Sequence, residues 1–164
     1  MNFLANDDAA QADVKRQRLR VWLRLLKTTR LVEATVRENL RVEFDTTLPR
    51  FDVLAALYRF ETGLKMTELS AALRVSNGNV TGIVERLVAD GAVLRVPVAG
   101  DKRATLVRLT NKGRDEFARM ASAHAEWIAN ILDDLSEETC DRLISALDTV
   151  GASSKLTGRE GADD

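Results

Sequence analysis

The segment Asn77-Gly78-Asn79-Val80-Thr81-Gly82 gathers two amide side chains, a hydroxyl and two glycines within six positions. Amides and hydroxyls of this length can bond base edges or phosphate oxygens, and glycine lets a backbone come close to a groove wall. Further on, Asp101-Lys102-Arg103 sets two cations behind an acid that can fix a turn by accepting from turn N–H groups or from Arg103. Taken singly, each segment also fits a blander description, a loosely wound helix start or a solvated turn. Catalytic chemistry is thinly supplied. His124 and Cys140 are the single residues of their types, so one subunit cannot assemble a His/Cys metal site. No phosphate-binding glycine loop or nucleophile elbow is present. The pairs Asp133-Asp134 and Glu137-Glu138 flank a helix boundary, where solvation and the helix dipole account for them. The expectation is a non-enzyme with no cofactor, no metal and no catalytic residue.

Helical periodicity supplies the elements that must position these groups. Residues 14–44 read as one long helix with Leu19, Trp22, Leu23, Leu26, Val32, Val36 and Leu40 at 3–4 spacing. After "DTTLP" a threonine cap ahead of Pro49 opens a second helix, with Phe51, Leu54, Ala55 and Tyr58 on one face, that stops near Gly63. Thr67 is expected to cap a brief helix carrying Leu69, Ala72 and Leu73. Ser76 then caps another, whose stripe of Val80, Ile83, Val84, Leu87 and Val88 must be buried and which Asp90-Gly91 ends. Two short helices joined this way form a helix-turn-helix. The opposite side of the second shows Asn77, Gly78, Thr81, Gly82, Glu85 and Arg86, with Asn79 at its border. Interior glycines cost roughly 1 kcal/mol each relative to alanine, so a compensating contact is implied.

Residues 92–110, "AVLRVPVAGDKRATLVRLT", read as a β-hairpin turning at Ala99-Gly100-Asp101, and Pro97 requires an exposed edge. A basic tip directly after the reading helix could enter an adjacent minor groove. A second long helix runs from Thr110 to about Leu135, carrying Phe117, Met120, His124, Trp127, Ile128, Ile131 and Leu135. A last helix opens at the Ser136 cap with Cys140, Leu143, Ile144 and Leu147, and Gly151 is its stop. Residues 1–13 and 152–164 are expected to be flexible.

The 164 residues suit one compact domain, which is the expectation, or one domain with an extension that docks on a partner. Net charge is −1, but it is segregated: residues 11–50 and 62–114 each carry five excess positive charges and residues 115–164 eight excess negative ones. A neutral chain of this kind can present a local field to phosphate, and ordinary solvated helix faces explain the same counts. One cysteine excludes an internal disulfide framework and fits a reducing compartment. No apolar run approaches the ~20 residues of a membrane span and the N-terminus lacks the order of a secretory signal, so a cytoplasmic protein is expected.

With these residues in view the chain resembles the MarR (multiple antibiotic resistance regulator) family of winged helix-turn-helix repressors. The resemblance rests on "MTELSAALRVSNGNVTGIVERLVADGAVLR", on "GDKRATLVRLTNKGR" and on the flanking long helices, covering roughly residues 15–150. It implies a mainly α fold with a small β-hairpin wing: a dimerisation helix over 14–47, a DNA-binding module over 48–110 and C-terminal dimerisation helices over 111–151. It also implies a homodimer on double-stranded operator DNA, with Thr67, Ser76, Asn77, Gly78, Asn79, Thr81, Gly82, Arg86, Arg95, Lys102 and Arg103 at the DNA. "LPRFDVLAALYRF" with "VSNGNVTGIVERLV" looks most like members that sense aromatic acids or their coenzyme A thioesters. The family's effector site implies a pocket near Trp22, Leu26, Phe51, Tyr58, His124 and Trp127, with Arg24, Arg37 or Arg41 holding an acid group. For each of these residues taken singly, core packing or a solvated helix face is the better account. An architectural DNA binder that needs no effector is the alternative.

Dimerisation is also argued by size. Helices of some 25–30 residues at both ends cannot bury their apolar faces on a module of about 45, so Leu19, Ile128, Ile131, Leu135, Leu143, Ile144 and Leu147 are expected to meet a second subunit.

Overall fold

The computed structural model describes residues 3–98 and 101–153, with side chains over 11–76, 78–97 and 105–153. Its elements are α1 (Phe3–Phe44), α2 (Leu48–Arg59), β1 (Leu64–Lys65), α3 (Met66–Leu73), α4 (Asn77–Ala89), β2 (Val93–Val98), β3 (Asp101–Leu109), α5 (Asn111–Ile131) and α6 (Glu137–Gly151). The chain divides into two compact units, Met1–Ala125 and Glu126–Asp164, and the division falls within α5. Helices dominate, with one small antiparallel sheet, as the expected fold class requires. Helix α1 starts at Phe3 and not at residue 14. Residues 3–13 lack an apolar stripe, and their helix is carried by the alanines and other good helix formers of "ANDDAAQAD".

The core of the first unit forms where α2, α3 and α4 cross the sheet. Val53, Leu57, Leu69, Val80, Val84, Leu87, Val93 and Val107 are all essentially removed from solvent. Each such side chain contributes about 1.5–3 kcal/mol on leaving water, enough to fix which face of every helix points inward. On α2 the buried face is Phe51, Val53, Leu54 and Leu57, wider than the expected one, and Tyr58 is left exposed. The turn between α3 and α4 holds Arg74 at φ 52°, a left-handed conformation unusual for a side chain of this size, with Val75 N–H donating to the Ser70 carbonyl at 3.2 Å. Gly91, at φ 73°, carries the chain out of α4 beyond its C-cap, Asp90.

The sheet has three strands in the order β1-β3-β2, all antiparallel. β2 and β3 form the expected hairpin, with Val93 opposite Leu109 and Arg95 opposite Val107, and a register irregularity after Pro97. Pro97 does lie on an edge strand. β1 was not foreseen; two residues are too few to show alternation.

Against α2 and α5 runs an aromatic chain in which Tyr58 meets Phe117, Phe117 meets Phe51 and Phe51 meets His124, with ring centroids 4.8, 5.4 and 5.1 Å apart. Arg114 caps it over the Tyr58 ring at 5.3 Å. Beside it, partial burial raises the Asp52 carboxyl above its usual range. Glu33 pushes it further, while His124 and Arg37 pull the other way. The folded protein therefore holds the Asp52 proton more tightly than the unfolded chain does, and this contribution to stability is lost as pH rises through the folded pKa. Asp52→Asn should melt about 2 °C above the parent at pH 7, the gain being small because solvent screens the site. The difference should close on acidification as the parent takes up its proton; calorimetry at pH 7 and pH 4 measures both.

Candidate nucleic-acid interface

Helix α4 turns about 100° per residue, so positions can be placed around its axis relative to the buried stripe. Val80, Val84 and Leu87 lie within roughly 20–40° of one direction and are buried. Gly78 and Gly82 then fall within roughly 20° of the opposite direction, at the crest of the exposed face. Both are exposed, and beyond the adjoining backbone of the helix itself no atom lies within 4 Å of where a Cβ would stand on either. Nothing in the chain's own packing demands glycine there. Asn79 and Arg86 flank the crest on one side and Thr81 on the other; Asn79 and Arg86 are exposed and Thr81 half-buried. Ile83 is half-buried and Val88 exposed, against the expectation for both, because they stand about 60–80° off the stripe's centre at its margins.

Ser76 sits at the N-cap in extended conformation, as expected, but its hydroxyl makes no capping bond. The Ser76 carbonyl accepts from the Asn79 and Val80 N–H groups. Unsatisfied N–H groups of a first turn are donors for an anion.

On the Thr81 side a groove of about 420 Å³ is lined by Lys65, Met66, Thr67, Thr81, Arg95, Thr105 and Val107. It brings together three of the expected DNA residues, Thr67 from α3, Thr81 from α4 and Arg95 from β2. Lys65 and Thr105 complete the polar lining and were not anticipated. Lys65, and not Thr67, is the N-cap of α3, and its backbone N–H donates to Glu68 Oε2 at 2.7 Å. The glutamate three residues after position 65 was the readable sign of that start. Of the remaining expected contacts, the side chains of Asn77, Lys102 and Arg103 lie outside the described residues.

On the other side of α4 lies a cleft of about 790 Å³, lined by residues of four helices that include Arg37, Asp52, Gly78, Asn79, Gly82 and Arg86. Arg37, one of the expected acid-holding residues, pairs with Glu33 at 3.3 Å. Arg41 is tied to Glu38 at 2.6 Å, which holds the Glu38 carboxyl below its usual range. The other expected effector residues are spread out: Trp22 and Arg24 are exposed on α1, Leu26 is half-buried, and Phe51, Tyr58 and His124 belong to the aromatic chain. Trp127 falls in the second unit.

The expected dimerisation residues include a set that one chain leaves uncovered. Leu143, Ile144 and Leu147 on α6 are 46%, 57% and 49% exposed, Leu19 and Ile131 are exposed, and Ile128 and Leu135 are half-buried. Cys140 is a half-buried free thiol. Among the described residues no group of three or more His, Cys, Asp or Glu is placed to hold a metal ion, and no helix is long and apolar enough to cross a membrane.

A family model of the MarR family matches residues 44–104, from the end of α1 to β3. The HTH-type transcriptional regulator YkoM of Bacillus subtilis, itself uncharacterized, is 30% identical over 136 residues, which are 83% of this chain and 85% of that one. The crystal structure of a MarR family transcriptional regulator from Silicibacter pomeroyi superimposes with a TM-score of 0.71 at 33% identity, covering 84% of this chain and 95% of that one. Sco3205 of Streptomyces coelicolor, solved in complex with DNA, shares the fold at a TM-score of 0.73 and 23% identity, over 83% of this chain and 86% of its own. The buried stripe, the exposed glycine crest and the winged sheet thus stand in a chain that belongs to the MarR family of transcriptional regulators, which are not enzymes.

Proposed function

We propose that the protein is a homodimeric, ligand-responsive repressor that binds a pseudo-palindromic operator through the glycine crest of α4. One observation carries this reading: Gly78 and Gly82 are exposed opposite the stripe, and no protein atom explains the absence of their side chains. A major groove is just wide enough for a helix, and a bare crest lets the backbone lie against it while Asn79, Thr81 and Arg86 reach to either side. Lys65, Thr67 and Arg95 line a groove next to the crest, where phosphates would be met. Two copies related by a two-fold axis place their α4 helices on half-sites about one helical turn apart.

An effector is supported by the cleft on the Arg86 side of α4, where Arg37 and Arg86 can pair with an acid group and the volume suits an aromatic acid or part of an acyl thioester. A molecule there touches the reading helix itself. Binding that favours one disposition of α4 over another would release the operator, and without such a difference no release could follow.

Replacing both Gly78 and Gly82 by alanine should separate stability from recognition. Unfolding free energy should rise by about 1 kcal/mol, chiefly from Gly82 because Gly78 lies in the first turn of α4, while operator affinity falls at least about tenfold. Denaturation curves and gel shifts on duplexes selected from a random pool measure the two; unchanged affinity would refute contact by the crest. Leu143→Asp changes an exposed residue in a single chain and would there be nearly neutral. In a dimer it should yield monomers by sedimentation that do not bind the operator. A thermal-shift series of aromatic acids and acyl thioesters should contain a compound that raises the melting point and weakens operator binding together; if none does both, the regulator works without such an effector.

A further inference from the structure

The C-terminal end of α4 is held by an unusually dense set of contacts that reading the operator does not itself require. Asp90, the C-cap, accepts from the Arg50 guanidinium of α2 on its carboxylate and from Lys112 Nζ at 2.7 Å on its carbonyl. The next two carbonyls are taken up by one residue. Thr110 Oγ1 lies 2.7 Å from the Gly91 carbonyl, to which it donates, and 3.2 Å from that of Ala92, while Thr110 N–H donates to Ala92 at 3.0 Å. The same Oγ1 accepts from Gly113 N–H at 3.0 Å, in the geometry of a helix N-cap. One hydroxyl therefore stops α4's exit turn and starts α5 at once.

The two backbones are also in contact. A Cβ on Gly113 would stand 1.9 Å from the Ala92 carbonyl oxygen, so α5 rides directly on the turn that follows α4. Helix α5 then continues for 21 residues, about 30 Å, as a single element, and β2 leaves the same turn at Val93. Any tilt of α5 is delivered through this joint to the reading helix and to the wing strand together.

We propose that Thr110 is a positioning residue for operator recognition: its hydroxyl fixes the angle between α4 and α5, and that angle sets which half-site spacing the dimer accepts. The inference rests on the assignment of α4 to the operator. It makes spacing, not base identity, the property that changes when the joint is loosened, because none of the joint residues lies on the crest of α4.

Thr110→Val keeps shape and loses the hydroxyl contacts to the Gly91 and Ala92 carbonyls and from the Gly113 N–H, whereas Thr110→Ser keeps all three. Duplexes are first selected from a random pool by the parent protein, then remade with the spacer between half-sites lengthened or shortened by one base pair. The parent should discriminate against both altered spacers by about tenfold or more. T110V, still dimeric by sedimentation, should bind the selected spacer about tenfold more weakly and show less than about a threefold preference among the three spacers. T110S should restore the parent pattern, which a general loss of folded protein would not. Should T110V fail to fold, Thr110→Asp, which can still cap α5 at the Gly113 N–H but has no proton to give the Gly91 carbonyl, carries the test and should narrow the spacer preference in the same direction. Parent-like spacer preference in T110V, or in T110D where that variant serves, overturns the proposal, as does T110S behaving like valine. A parent that selects no palindromic duplex removes the operator assignment itself, and this proposal falls with it.

Discussion

Burial of Val80, Val84 and Leu87 is the constraint from which the rest of the DNA-binding unit follows. These three side chains have no exposed surface to speak of, and together they tie α4 to α2, α3 and the sheet. A helix so fastened cannot roll without exposing apolar area at a cost of several kcal/mol. Its outward crest is thereby set as firmly as its inward stripe, and the residues on that crest are relieved of any structural duty. That is why two glycines and short polar side chains can stand there. The stability they forgo in the helix is offset by the stripe behind them.

Charge is arranged around this frame and not through it. The ion pairs of α1 among the described residues, Arg16 with Asp13, Arg37 with Glu33 and Arg41 with Glu38, are exposed and local to their own helix, so they contribute little to holding the fold. The Arg50 contact to Asp90 differs because it links residues 40 positions apart, at the start of α2 and the end of α4. Polar contacts of long reach thus concentrate at the exit of α4, while Gly78, Asn79 and Gly82 near its start are exposed. A rigid base and an accessible tip are what a reading head needs to discriminate between targets.

Much of this was legible in the amino-acid sequence, for physical reasons that can be given residue by residue. The stripe on α4 was visible because an amphipathic helix repeats its apolar residues at a period the chain displays directly. Val88 was misassigned because periodicity marks a half-circle of positions, while packing neighbours cover only its centre. The start of α3 was placed two residues late because threonine is the better cap by composition, yet the Glu68 carboxylate takes the Lys65 N–H and begins the helix there. Arg74 in a left-handed conformation left no trace in sequence, since glycine or asparagine is the ordinary sign of such a turn. The clefts on either side of α4 were out of reach altogether: they depend on how far apart helices stand, and no local pattern encodes that distance.

The outer strands of the small sheet carry a final consequence. On β2, Pro97 removes a backbone donor from one margin, and on the other margin β1 is just two residues long. Pro97 interrupts the donors of one border, whereas on the other the stretch of β3 before Leu106 runs past β1 and, among the described residues, has no partner strand on that side. A strand added to that open stretch of β3 would lengthen the sheet, while the proline hinders the same addition along β2. The two margins of the sheet therefore differ: a second strand has one side on which to pair and is obstructed on the other.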